Sequence, residues 1–267
     1  MIKHIFCDLD GTLFIDKITD VDKNAILLAK DFGITFNIAT GRVLDHSKSI
    51  LEECNIEGYL ITENGSYVYD KNLNLVFSQA MTDAQIKKII SIYNSFDYID
   101  KDQDVIYFKY DGRVVMPVDG SKAEYLTRGF EIDEKICEYD AYMSKVGNIG
   151  VLTTDSKKLS KMIESFKEEL SSELDVYASS RTTINIVLKG VSKLEGIKCV
   201  CKKESISLNE VAAIGDSPND MSMLKNINMS FAMSDAFDSI KNVSKYETPT
   251  VADAIKMIID YNSEADN

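Results

Sequence analysis

Short apolar runs alternate with amphipathic stretches at both ends of the chain. Ile5-Phe6-Cys7 reads as a buried strand. Val21, Ala25, Leu28, Ala29 and Phe32 recur at helical spacing, and Gly33 ends that helix. Ile34 to Ala39 predicts a second strand, a helix follows to about Cys54, and Tyr59 to Thr62 predicts a third strand. This strand–helix rhythm is that of a doubly wound parallel sheet. It resumes late in the chain: Leu194, Ile197, Val200 and Cys201 mark a helix and Glu210 to Ile214 a strand. A helix from Asp220 to about Lys225 follows, then Phe231-Ala232-Met233 and a last helix from Val251 to Tyr261.

Between these stretches the pattern changes. Asn64-Gly65 is a hairpin signal flanked by Tyr67-Val68-Tyr69 and Leu75-Val76-Phe77. Thr82 to Phe96 predicts a helix with Ile86, Ile89, Ile90 and Tyr93 on one face. Val105 to Tyr110 and Arg113 to Val118 predict a hairpin turning at Asp111-Gly112, followed by a helix near Lys122 to Arg128. A strand at Asn148 to Thr153, a helix from Lys157 to Leu170 and strands at Asp175 to Ala178 and Thr183 to Leu188 complete the region. Hairpins mixed with helices do not fit a parallel core. The expected organisation is α/β: a doubly wound core of residues 1–81 and 188–267, with an α+β domain of residues 82–187 inserted in it.

Composition narrows the partners. At 267 residues the chain can bury a core that needs no disulfide or structural metal. The net charge of −13 argues against a nucleic-acid partner, because phosphate backbones are bound by clustered Lys and Arg. No apolar run is long enough to span a bilayer, and Lys3 and His4 lead into the first strand without a signal-peptide pattern. The cysteines (Cys7, Cys54, Cys137, Cys199, Cys201) are odd in number and lack zinc spacing. They read as reduced thiols in a cytoplasmic protein. His4 and His46 are the only histidines, and both read as structural or solvated, which leaves no histidine-based nucleophile triad.

The candidate chemistry sits where predicted strands end. Asp8 and Asp10 follow the first strand and precede Gly11, which permits a sharp turn. Carboxylates at the end of a buried strand are costly unless paired, and a hard cation such as Mg²⁺ would pair them. Thr40-Gly41-Arg42 follows the second strand, Lys193 opens a helix, and Gly215-Asp216-Ser217-Pro218-Asn219-Asp220 follows another strand.

In that order these stretches resemble the four signatures of the haloacid dehalogenase (HAD) superfamily. The insertion between the second and third is similar to the type IIB cap, so the chain resembles the Cof-like phosphatases. The resemblance implies a Rossmann-like core with an inserted cap that selects substrate. It also implies Mg²⁺-dependent hydrolysis of a small phosphorylated metabolite, by default a sugar phosphate. Asp8 would be the nucleophile and Asp10 the general acid/base. Asp8, the backbone carbonyl of Asp10, and Asp216 would hold Mg²⁺, with Asp220 supporting them. Lys193, Thr40, the Gly41 and Leu9 N–H groups, and Asn219 would bind the phosphate, and Arg42 would either hold substrate or pair with a surface carboxylate. Arg181, Tyr107, Tyr110 and Tyr125 could face substrate, although each reads first as surface or core.

Other uses of these residues are a phosphosugar mutase, a phospho-acceptor signalling module, or a regulatory protein without activity. The chain departs from the Cof-like pattern at Leu194 (usually Gly), Asn185 (usually Glu), Asp235 and Tyr246-Glu247-Thr248-Pro249-Thr250.

Overall fold

The computed structural model describes residues 1–118, 127, 129–178 and 181–265, in two compact units. The first comprises residues 1–42, 47–78 and 192–267, and the second 43–46 and 79–191. Tertiary contacts thus put the edges of the insertion at 79 and 191 rather than 82 and 187, and add 43–46 to it.

The first unit is built on a sheet containing β1 (His4–Cys7), β2 (Thr35–Ala39), β3 (Leu60–Thr62), β4 (Tyr67–Tyr69) and β5 (Leu75–Ser78). β12 (Val211–Gly215), β13 (Met229–Met233) and β14 (Tyr246–Thr248) complete it. Among the described residues the strand order is β14-β13-β12-β1-β2-β3-β4-β5. Pairing is parallel from β14 to β3 and antiparallel for β4 and β5. The chain winds from β1 toward β2 and β3, then later returns to β12 on the other side. The C-terminal end of β1 is therefore the topological switch point, where ligands bind in sheets of this kind. Tyr246-Glu247-Thr248, which departs from the Cof-like pattern, forms the edge strand β14.

Strands β1 to β3 are stitched by a buried polar residue that the apolar pattern hides. Asn37 has no exposed surface. Its side-chain oxygen accepts from the Tyr59 N–H at 2.8 Å, and its amide nitrogen donates to the carbonyls of Ile5 (2.9 Å) and Thr35 (3.1 Å).

Helices α1 (Asp20–Asp31) and α2 (Asp45–Glu53) form as expected, but α1 turns a different face inward. Asp22, Ile26 and Ala29 are buried, whereas Val21, Leu28 and Phe32 are exposed. The reason is polar. Asp22 caps the last helix of this unit, accepting from the Ala252 N–H at 2.9 Å, and it also accepts from the Thr19 hydroxyl. That anchor fixes the rotation of α1 and leaves Val21, Leu28 and Phe32 outside, while Ala29 of the expected stripe stays buried.

Asn64-Gly65 forms the turn from β3 to β4, while Asp70 closes the next turn by accepting from the N–H groups of Asn72 and Asn74. Glu63, Asn64 and Gly65 all have positive φ. A Cβ on Gly65 (φ +109°) would lie 2.1 Å from the Ser192 carbonyl oxygen, so only glycine admits the backbone that carries Lys193.

The second unit holds β6 (Val105–Tyr110), β7 (Arg113–Met116), β8 (Glu131–Ile132), β9 (Val146–Leu152), β10 (Leu174–Ala178) and β11 (Thr183–Leu188). Their order is β10-β11-β9-β6-β7-β8. Its core packs the sheet against α3 (Asp83–Ser95) and α4 (Ser156–Leu170) through Ile86, Ile89, Phe108, Ile149, Met162 and Phe166. β8 was not anticipated: it is short and exposed on both residues, so it carries no periodicity. The helix expected near Lys122 to Arg128 and Tyr125 lie outside the described residues, Thr127 apart. Among the described residues no helix is long and apolar enough to cross a membrane.

Replacing Gly65 by Ala should destabilise the protein by about 2–4 kcal/mol, combining a steric clash with a strained left-handed backbone. A urea midpoint equal to wild type would show that the Ser192 backbone yields freely.

Candidate active site

The site grows from the end of β1. Asp8 follows Cys7, is 3% exposed, and is held to β12 by its N–H on the Ile214 carbonyl (3.0 Å). The chain then turns back on itself, with Thr12 and Phe14 N–H groups on the Leu9 carbonyl. Gly11 (φ +83°) makes this possible, since a Cβ there would meet Asp216 Oδ2 at 2.5 Å. The Leu9 N–H has no hydrogen-bond acceptor among the described residues.

Lys193 begins α5 (Lys193–Glu204), whose N-cap Ser192 accepts from the Glu195 N–H. Its ammonium has no exposed surface and donates to Asp8 Oδ1 and to Asp220 Oδ1, each at 2.6 Å. The other oxygen of Asp220 accepts from the N–H groups of Asp216 and Ser217, both at 3.0 Å. Both Asp220 oxygens are thus committed, and they fix the loop after β12. Asp216 accepts from the Thr12 hydroxyl (2.7 Å) on one oxygen and from the Ser217 hydroxyl (2.6 Å) on the other.

Carboxylate oxygens of Asp8, Asp216 and Asp220 lie within 4.8 Å of one another. One ammonium serves three carboxylates, so the fully ionised cluster keeps two negative charges. That excess and an all-oxygen donor set fit a hard divalent cation. Asp8 and Asp216 keep more lone pairs to offer it than Asp220, which already accepts three hydrogen bonds. Burial, followed by the Asp220 charge, pushes the Asp8 carboxyl up to about 8 against the pull of Lys193. Burial also raises Asp216. Lys193 is held firmly protonated, because its two carboxylate partners outweigh its desolvation.

A second group lines the ends of β2 and β3. Thr40 is fully buried, and its hydroxyl accepts from the Arg42 N–H at 3.1 Å. Asn219 donates to Asn64 Oδ1 at 3.0 Å, and a Cβ on Gly41 would lie 3.2 Å from that same oxygen. Of the two uses expected of Arg42, the structure shows pairing with an exposed carboxylate, that of Asp10: Nε to Oδ2 at 2.9 Å and an Nη to Oδ1 at 2.5 Å. Its guanidinium also lies over the Phe14 ring, 4.9 Å from the centroid. The Asp10 side chain is 59% exposed, in contrast to Asp8.

Sequence reasoning missed Thr12, Asn64 and Ser217 as members of this cluster. Asn64 was legible only as a turn residue. The rule that ligands gather beyond parallel strand ends, applied to β3, would have flagged it. Among the expected substrate-facing residues of the second unit, Tyr107 is buried, with its hydroxyl 3.3 Å from Asn185 Oδ1. Tyr110 packs on Tyr139 and Tyr142, and Arg181 is exposed. All five cysteines are free thiols.

A family model described as haloacid dehalogenase-like hydrolase matches residues 5–258. The chain is 28% identical over 253 residues to the 5-amino-6-(5-phospho-D-ribitylamino)uracil phosphatase of Bacillus subtilis, covering 93% of this chain and 90% of that protein. It is 23% identical over 239 residues to an HMP-PP phosphatase of Yersinia pseudotuberculosis, covering 88% and 84% of the two chains. The fold matches a haloacid dehalogenase-like hydrolase from Bacteroides thetaiotaomicron with a TM-score of 0.83 at 20% identity, over 97% and 100% of the chains. It also matches a HAD subclass IIB sugar phosphatase with a TM-score of 0.77 at 19% identity, over 98% and 99%. The chain belongs to the haloacid dehalogenase-like hydrolase family and is an enzyme of its Cof-like phosphatase branch.

Proposed function

We propose that this protein is a Mg²⁺-dependent phosphomonoester hydrolase that acts on a small phosphorylated metabolite, a sugar phosphate by preference, through an aspartyl-phosphate. The observation that carries this reading is the buried Asp8 carboxylate, held at the switch point by Lys193 beside Asp216. The phosphorylated substrates in the names of the relatives support the substrate class.

Asp8 attacks phosphorus, forming the Asp8 O–P bond as the P–O bond to the leaving group breaks. Asp10 gives its proton to the departing oxygen. It then takes a proton from water as that water attacks phosphorus and releases phosphate from Asp8. Lys193 balances charge on the phosphoryl oxygens, and the Leu9 N–H, Thr40, the Gly41 N–H and Asn219 orient them. Asp8, the Asp10 carbonyl and Asp216 would hold Mg²⁺. When bound, it supplies charge neutralisation between a carboxylate nucleophile and an anionic ester. The second unit acts as the cap that selects the leaving group. Arg42, by gripping both oxygens of Asp10, keeps the acid/base oriented until substrate arrives.

The direct test is phosphate release from a panel of phosphomonoesters, including hexose and pentose phosphates. Wild type with Mg²⁺ should turn over. Asp8→Asn, or wild type with chelator, should lose at least ~10³-fold. Loss of substrate with phosphate recovered on another hydroxyl would instead identify a mutase. Failure on every ester would sink the hydrolase reading.

Asp10→Asn should slow turnover by about 10²–10⁴-fold. The loss should be smaller for formation of the phospho-enzyme from 4-nitrophenyl phosphate, whose leaving group needs no proton. A uniform loss across leaving groups would contradict the assigned role.

A third prediction concerns pH. With its carboxyl raised to about 8, metal-free Asp8 carries a proton at neutral pH that must leave when a cation binds. Mg²⁺ affinity should therefore rise between about pH 6 and pH 8, with proton release visible by calorimetry in buffers of different ionisation enthalpy. A pH-independent affinity would refute it.

A further inference from the structure

Three consecutive residues after β3 sit in the left-handed region: Glu63 (φ +51°), Asn64 (φ +60°) and Gly65 (φ +109°). Glycine adopts that region freely and asparagine readily, whereas glutamate does so at a cost. Such strain persists only where the surroundings impose it, and it gathers at functional sites. Here the surroundings are three other loops of the same unit. The Glu63 N–H donates to the Arg42 carbonyl and the Asn64 N–H to the Thr40 carbonyl, both at 3.0 Å. Gly65 lies against the Ser192 backbone that leads into Lys193. The Asn64 side-chain oxygen accepts from Asn219 Nδ2 at 3.0 Å. One turn thus touches the loops that carry Thr40, Lys193 and Asn219, although it belongs to none of the four motif stretches.

Asn64 is 5% exposed, whereas Asn219 is only half-buried. A phosphoryl oxygen accepts hydrogen bonds, so Asn219 can serve it only with its NH₂ turned inward. That nitrogen carries two hydrogens. One goes to Asn64 Oδ1 and the other is left for an anion. The same nitrogen stands 3.7 Å from where a Cβ on Gly41 would lie, beside the main-chain N–H assigned to the phosphate. We propose that Asn64 is a positioning residue of the phosphate site. Its side-chain oxygen holds the Asn219 amide with the NH₂ toward the phosphoryl oxygens, and its left-handed backbone fixes the Thr40 loop beside it. This inference rests on the phosphate-binding role proposed above for Asn219.

Asn64→Gly keeps the left-handed backbone and removes only the side chain. Asn64→Ser is the second variant should glycine loosen the turn, since Ser205 already adopts φ +55° in this chain. The probes are inorganic phosphate, titrated by calorimetry in excess Mg²⁺, and 4-nitrophenyl phosphate for kcat and KM. Asn64→Gly and Asn219→Ala should each weaken phosphate binding and lower kcat/KM by about 10-fold. The double variant should lose no more than the larger single loss, because both substitutions remove one interaction. The loss should fall mainly on KM, since the contact is made before and during transfer alike. Losses that multiply to about 100-fold in the double variant overturn the proposal while the hydrolase reading stands. So do wild-type phosphate affinity at either substituted position and a loss confined to kcat. Wild-type protein that binds no phosphate overturns both.

Discussion

Everything at the site depends on one buried ammonium. Lys193 bridges Asp8 and Asp220, residues from opposite ends of the chain that could not share a dry interior without a cation between them. Removing that charge would leave two carboxylates facing each other with no exposed water. The tie also spans 185 positions in sequence between Lys193 and Asp8, joining the start of α5 to the end of β1. It therefore joins the two sequence-distant parts of the first unit, and the contact that organises the candidate site also organises the fold of that unit.

The remaining polar groups divide the labour. Asp220 spends one oxygen on Lys193 and the other on the Asp216 and Ser217 amides, and so shapes the loop. Asp216 keeps only hydroxyl donors, which a cation can displace or share. The two aspartates of the first motif sit in opposite environments. Asp8 is buried and loses solvation, which suits the nucleophile proposed for it. Asp10 is exposed and paired with Arg42, which suits the acid/base role proposed for it. Two carboxylates two residues apart acquire different duties because a single tight turn at Gly11 separates their surroundings.

The parallel sheet places polar apparatus at both of its ends. Beyond the C-terminal ends of β1 and β2 lie Asp8 and Thr40. At the other ends Asn37, His4 and Tyr59 form a second polar knot, buried between strands that otherwise read as apolar. Strand β1 connects the two, so its short apolar run is held by polar contacts at each end.

Sequence alone determined most of the order of elements, short pieces such as β8 excepted, the parallel rhythm and the places where the motifs fall at strand ends. These depend on local spacing and on chemistry that follows a strand end, and both are written in consecutive residues. It could not determine which face of α1 turns inward, because Val21-Leu28-Phe32 and Asp22-Ile26-Ala29 are equally helical in spacing. The choice fell to Asp22 capping a helix 230 residues away. Nor could it show that Arg42 reaches Asp10, that Asn64 supports Asn219, or that Thr12 binds Asp216, since each pair meets only once the sheet is assembled. Long-range hydrogen bonds have no periodicity, and tertiary structure alone decides them.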